Sequence, residues 1–120
     1  MSYKPEGWNT LTPRVFTSDV EGLVGFLREV FGAKGDINRG RPTELRIGDS
    51  NLMVSDGAGV RQALASFLYV YVEDTDEAFR RTVRAGAKTV ESPFDTPYGN
   101  RRATVEDAWG NTWQVATRRG

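Results

Sequence analysis

The chain predicts an α+β fold of two βαβββ units, forming a mixed sheet cupped on one side with its helices on the outer face. Three observations carry this expectation. Gly32-Ala33-Lys34 recurs as Gly86-Ala87-Lys88, close to half the chain length later. Each copy closes a capped amphipathic segment, and each such segment follows an extended apolar one. Self-similarity at a fixed period is the signature of a duplicated unit. The copies span about 8–56 and 64–118, within one domain over 1–120.

The elements follow in order. Asn9 to Phe16 reads as a strand, with Pro13 demoting it to an edge or bulged one. Ser18 with Glu21 forms a capping box. Val20, Leu23, Val24, Leu27, Val30 and Phe31 then recur at helical spacing. Gly32 supplies the left-handed residue that ends the helix. Short strands are expected near Asp36-Arg39, Thr43-Ile47 and Leu52-Ser55, the last two joined by the turn Gly48-Asp49-Ser50-Asn51. Gly57-Ala58-Gly59 reads as a linker. In the second copy Ser66 to Val72 is the clearest strand. Asp74 with Glu77 caps a shorter helix with Phe79 and Val83 on its buried side. Thr89-Glu91 is a brief strand, and Ser92 to Asn100 reads as a loop because of Pro93, Pro97 and Gly99. Arg102-Glu106 and Thr112-Thr117 flank the turn Asp107-Ala108-Trp109-Gly110-Asn111.

Alternation assigns faces. Leu68, Val70 and Val72 suit packing under a helix, which turns Phe67, Tyr69 and Tyr71 the other way. Those three aromatics are either further core, a dimer interface or the wall of a binding cleft. In the first strand Leu11 and Val15 go under the helix, and Thr10, Thr12, Arg14 and Phe16 share the opposite face. A buried guanidinium needs a partner, so Arg14 either pairs with a carboxylate such as Glu44 or contacts a ligand. Trp113 belongs to the core, whereas Trp109 and Trp8 can reach the rim. Arg80, Arg81 and Arg84 read as a solvated face, and Arg101-Arg102 either as surface charge or as a contact for an anion.

Composition excludes several function classes. Lys+Arg and Asp+Glu number 16 each, so the net charge is +0, which argues against nucleic acid or an anionic membrane surface as partner. No apolar run is long enough to span a bilayer, and Met1-Ser2-Tyr3-Lys4 opens no secretory signal. With no cysteine, a cytoplasmic location is the default expectation. With no histidine either, the usual zinc, nickel and iron donor sets are missing, as is any His acid or base.

Val15-Phe16-Thr17-Ser18-Asp19, followed by Phe26-Leu27-Arg28-Glu29-Val30-Phe31-Gly32-Ala33, resembles the opening motif of the glyoxalase/bleomycin-resistance/extradiol-dioxygenase superfamily, the vicinal oxygen chelate fold. Glu44-Leu45-Arg46-Ile47-Gly48-Asp49, Tyr98-Gly99-Asn100-Arg101 and Asp107-Ala108-Trp109-Gly110-Asn111-Thr112-Trp113 look like later motifs of its small bacterial branch. The resemblance covers nearly the whole chain. It implies a glyoxalase/bleomycin-resistance-like domain, and in the family's enzymes a divalent metal held by His or Gln, Glu, His and Glu on four strands. Carried over, those positions fall on Thr12, Met53 (or Val54 with a one-residue slip), Phe67 and Gln114. That set cannot hold a catalytic divalent ion, so no metal and no cofactor are expected.

The resulting expectation is a metal-free binding protein that sequesters an aromatic or antibiotic-like natural product, with no catalytic residues. Its ligand-binding residues are Thr12, Arg14, Phe16, Glu44, Met53, Phe67, Tyr69, Tyr71, Trp109 and Gln114. The alternative is a metal-independent isomerase or lyase with Arg14 as electrophile and Glu44 or a tyrosine as base. A third class is an interaction module without a ligand. The expected partners are a small aromatic ligand and a second copy of the chain in a homodimer, with neither nucleic acid nor membrane.

Overall fold

The structure is a computed structural model that describes residues 3–56 and 64–119; the expected linker Gly57-Ala58-Gly59 lies outside them. The chain divides into two compact units, Met1–Leu64 and Ala65–Gly120. Each holds one helix and one mixed sheet, as an α+β duplication requires.

In the first unit β1 (Arg14–Phe16), α1 (Val20–Phe31), β2 (Thr43–Ile47) and β3 (Ser50–Ser55) follow one another. The sheet order is β1-β3-β2, with β1 parallel and β2 antiparallel to β3. Val15, Leu23, Val24, Leu27, Val30, Leu45 and Val54 are buried and fill the space between α1 and the sheet. The strand before α1 is shorter than expected. Pro13 carries no N–H to donate, and only its carbonyl joins the ladder, accepting from Met53 N at 3.0 Å. Alternation therefore does not extend back to Leu11, which is 85% exposed rather than under the helix. The N-cap of α1 is Asp19, not Ser18: its carboxylate accepts from Gly22 N at 3.0 Å, which shifts the cap by one residue. Gly32 ends the helix at φ 66°.

Asp36-Arg39 is not a strand. Asn38 donates its N–H to the Thr43 hydroxyl at 3.0 Å and its amide to the Pro42 carbonyl at 3.3 Å, folding the segment on itself. The missing strand survives as one bridge, in which Lys34 and Arg46 exchange two backbone hydrogen bonds. Next to it, Gly35 sits at φ 137° with a built Cβ colliding with the Glu44 carbonyl. Glycine is the residue that fits there.

In the second unit β4 (Phe67–Tyr71), α2 (Thr75–Arg84), β5 (Lys88–Asp95), β6 (Asn100–Glu106) and β7 (Thr112–Arg118) give the sheet order β4-β7-β6-β5. As in the first unit, the opening strand pairs parallel with the last. Asp74 caps α2, accepting from Glu77 N at 3.2 Å. The stripe that α2 buries is Thr75, Ala78 and Thr82, whereas Val83 is exposed. Polar Thr75 is satisfied there, donating to the Arg101 carbonyl at 2.8 Å. β5 runs through Pro93 to Asp95, beyond the expected end at Glu91, with two register shifts. It is an edge strand, where a missing N–H costs no ladder bond.

The turn between β6 and β7 is organised by one buried carboxylate. Asp107 accepts from Trp109 N, Asn111 N, the Asn111 amide and Trp113 Nε1 at 2.8–3.0 Å. Trp113 is core, 1% exposed.

Candidate functional site

The face of the second sheet away from α2 collects most of the unit's chemistry. Phe67, Tyr69 and Tyr71 alternate outward from β4, 66%, 37% and 65% exposed. Leu68 and Val70 point the other way, as expected. Register places Gln114 beside Tyr69, Thr104 beside Gln114, and Glu91 beside Thr104, so β4, β7, β6 and β5 contribute to one surface.

These side chains form a connected network. The Thr104 hydroxyl donates to Glu91 Oε1 at 2.5 Å, and the Gln114 amide donates to Thr104 Oγ1 at 3.3 Å. Arg102 donates Nη2–H to Glu91 Oε2 at 3.2 Å and Nη1–H to the Tyr98 hydroxyl at 2.8 Å. Its guanidinium lies 5.1 Å from the centre of the Phe94 ring. Arg102 Nε is buried without a hydrogen-bond partner, a cost set against the ion pair. Asn100 donates its amide to the Tyr69 hydroxyl at 2.6 Å, and the Tyr69 and Tyr71 rings meet edge to face at 5.3 Å.

Titration follows from these contacts. The Thr104 hydroxyl, and then Arg102, hold the Glu91 carboxyl below its usual range against the opposing effect of burial. Partial burial pushes the Tyr69 phenol up, opposed by the Asn100 hydrogen bond and helped by Tyr98.

The corresponding face of the first unit carries Arg14 and Phe16 on β1, Met53 and Ser55 on β3, and Glu44 on β2. Met53 shares this face with Arg14 and Glu44, while Val54 is fully buried under α1. Glu44 pairs with Arg41 at 3.5 Å, not with Arg14. Arg14 instead donates to the Ser55 hydroxyl at 3.2 Å and stacks on Phe16 at 5.1 Å. Thr12 precedes β1 and lies in neither sheet, and Trp109 sits in the Asp107 turn.

Sequence reasoning missed Glu91, Tyr98, Asn100, Arg102 and Thr104. Arg102 is not surface charge: its side chain is 18% exposed and paired with Glu91. The available signal was alternation within β6, where Asn100, Arg102 and Thr104 recur every second residue.

The four positions onto which the resemblance carries the family's metal ligands are Thr12, Met53, Phe67 and Gln114. Phe67 offers no ligand atom, Met53 only a thioether, and Thr12 and Gln114 only neutral oxygens, the Gln114 Nε2–H being donated to Thr104. Among the described residues no group of three or more carboxylates comes together in their place. A lone thioether beside neutral oxygens, with neither imidazole nor carboxylate, does not match the usual zinc, nickel or iron donor sets.

The fold recurs among solved structures. The chain is 26% identical to TioX from Micromonospora sp. ML1 over 92% of this chain and 98% of that one, with a TM-score of 0.78. A glyoxalase/bleomycin resistance protein/dioxygenase family enzyme from Burkholderia phytofirmans PsJN is 20% identical over 89% and 96%, with a TM-score of 0.76. Lactoylglutathione lyase from Agrobacterium tumefaciens is 17% identical over 94% of each chain, with a TM-score of 0.72. The last two likenesses speak to fold alone. No curated protein sequence matches the chain. A family profile does, over residues 9–115. With that match across both copies of the motif, the chain belongs to the Glyoxalase/Bleomycin resistance protein/Dioxygenase superfamily.

Proposed function

We propose that this protein binds a planar aromatic small molecule, of the kind an antibiotic-like natural product presents, and does so without a metal and without chemistry. The observation that carries the reading is the aromatic row Phe67, Tyr69 and Tyr71 on one exposed face, beside a hydrogen-bonded floor of Arg102, Glu91, Thr104 and Gln114. Exposed aromatic surface next to a few fixed polar groups is the composition of a small-molecule site. Bleomycin resistance proteins are among the members of the superfamily, which fits sequestration.

Titration favours binding over catalysis. A general base works best with a pKa near the working pH. Glu91 is held below the carboxylate range and Tyr69 above the phenol range, which moves both away from neutrality. Glu44, the base of an isomerase or lyase reading, is engaged by Arg41.

Metal independence is tested by elemental analysis of the purified chain and by titrating an aromatic probe such as acridine with and without EDTA. The expected result is no stoichiometric zinc, nickel or iron, and the same quenching curve in both buffers. About one such ion per chain, or binding abolished by the chelator, contradicts the proposal.

A homodimer belongs to the same proposal. Tyr98, 64% exposed, leaves aromatic surface that a second copy would cover at the rim, with Phe67 and Tyr71 left to the ligand. Light scattering at micromolar concentration is expected to give twice the 13.4 kDa chain mass. A monomer mass contradicts it.

A further inference from the structure

We infer that the first unit carries its own organic-anion site, in which Arg14 holds a carboxylate on a small apolar body. The site is a cleft of 790 Å³ between the start of α1, the segment before β2 and the end of β3. It lies wholly within the first unit and does not depend on the aromatic face of the second.

Charge accounting singles out Arg14. Three arginines line the cleft: Arg14, Arg39 and Arg41. Arg39 is closed by Glu21 at 2.6 Å and Arg41 meets Glu44 at 3.5 Å. Asp19, also in the wall, is engaged as the cap of α1. Asp56 is the third carboxylate of the lining and is engaged in an interaction of its own. Among the described residues Arg14 is left without a carboxylate partner.

Its geometry suits a planar anion. The guanidinium uses its face on Phe16, at 5.1 Å, and one Nη2–H on the Ser55 hydroxyl. Stacking consumes no N–H, so in-plane donors remain for the two parallel hydrogen bonds that a carboxylate accepts. Phe16 and Ser55 also fix the orientation of an otherwise flexible side chain, which reduces the entropy lost on binding. Val20, Ile37 and Pro42 supply apolar wall beside this charge. A carboxylate on an apolar body satisfies both.

The test uses benzoate, with benzamide as its neutral counterpart. Each is titrated into the full isotope-labelled chain while amide and arginine side-chain signals are followed by NMR. Benzoate is expected to shift Arg14 and the amides lining the cleft saturably, and benzamide to bind several-fold more weakly. Arg14→Gln is expected to lower benzoate affinity about tenfold, the size of one charge-assisted contact, and Arg14→Lys to retain part of it. Arg14 is exposed, so an unchanged melting temperature is the check that Arg14→Gln still folds. Equal binding of benzoate and benzamide overturns the inference. So does unchanged affinity in Arg14→Gln, the absence of saturable shifts in the cleft, or shifts confined to Phe67–Tyr71.

Discussion

Asp107→Ala is expected to lower the stability of the chain by about 3–4 kcal/mol, since it strips the acceptor from several buried donors at once. Asp107 is 5% exposed and Asn111 and Trp113 are 1% exposed, so the freed groups do not reach water easily. Four hydrogen bonds converge on the carboxylate, two on each oxygen. They close the turn between two central strands and fix the orientation of the largest buried side chain, Trp113. Asp107→Asn keeps one acceptor oxygen and exchanges the other for a donor, so it is expected to cost less than alanine while remaining destabilising. Urea unfolding followed by tryptophan fluorescence measures both. A loss below about 1 kcal/mol for Asp107→Ala, the worth of one ordinary hydrogen bond, contradicts this account of the turn.

The same residues show what the sequence could and could not convey. The Asp107-to-Trp113 run is legible as a turn between strands, because Gly110 and Asn111 break the alternation on either side. The number of donors meeting at Asp107 depends on three-dimensional closure and is not written in the spacing. Capped helices, the Gly32 stop and the outward aromatics of β4 were legible for a similar reason: each rests on local periodicity. The candidate floor of the second unit was not. Pro93 reads as a strand breaker, and that ended the expected strand at Glu91. The edge position of β5, which makes Pro93 harmless, is a property of the sheet order β4-β7-β6-β5. Glu91 and Arg102 are distant in sequence and meet only through that pairing. In the first unit the expected strand at Asp36-Arg39 failed because Asn38 found partners in Pro42 and Thr43, a competition between side-chain and ladder hydrogen bonds.

Tyr69 is a poor residue for separating binding from folding. Its ring is 37% exposed and its hydroxyl is held by Asn100 at 2.6 Å, so its loss disturbs both. Phe67 and Tyr71 are nearly twice as exposed, at 66% and 65%. Removing side chains that are already in water costs little folding energy. Removing them from an aromatic stack costs about 0.5–1.5 kcal/mol each beyond the lost burial. The double variant Phe67→Ala/Tyr71→Ala therefore pulls the two quantities apart: affinity is expected to fall about tenfold or more, with the melting temperature within a few degrees of the parent.

The most direct test is a fluorescence titration of parent and double variant with a panel of planar aromatic compounds, acridine among them, beside their thermal melts. The binding account predicts saturable quenching in the parent that is strongly weakened in a variant of near-parental stability. No quenching by any member of the panel, or equal affinity in the two proteins, contradicts it.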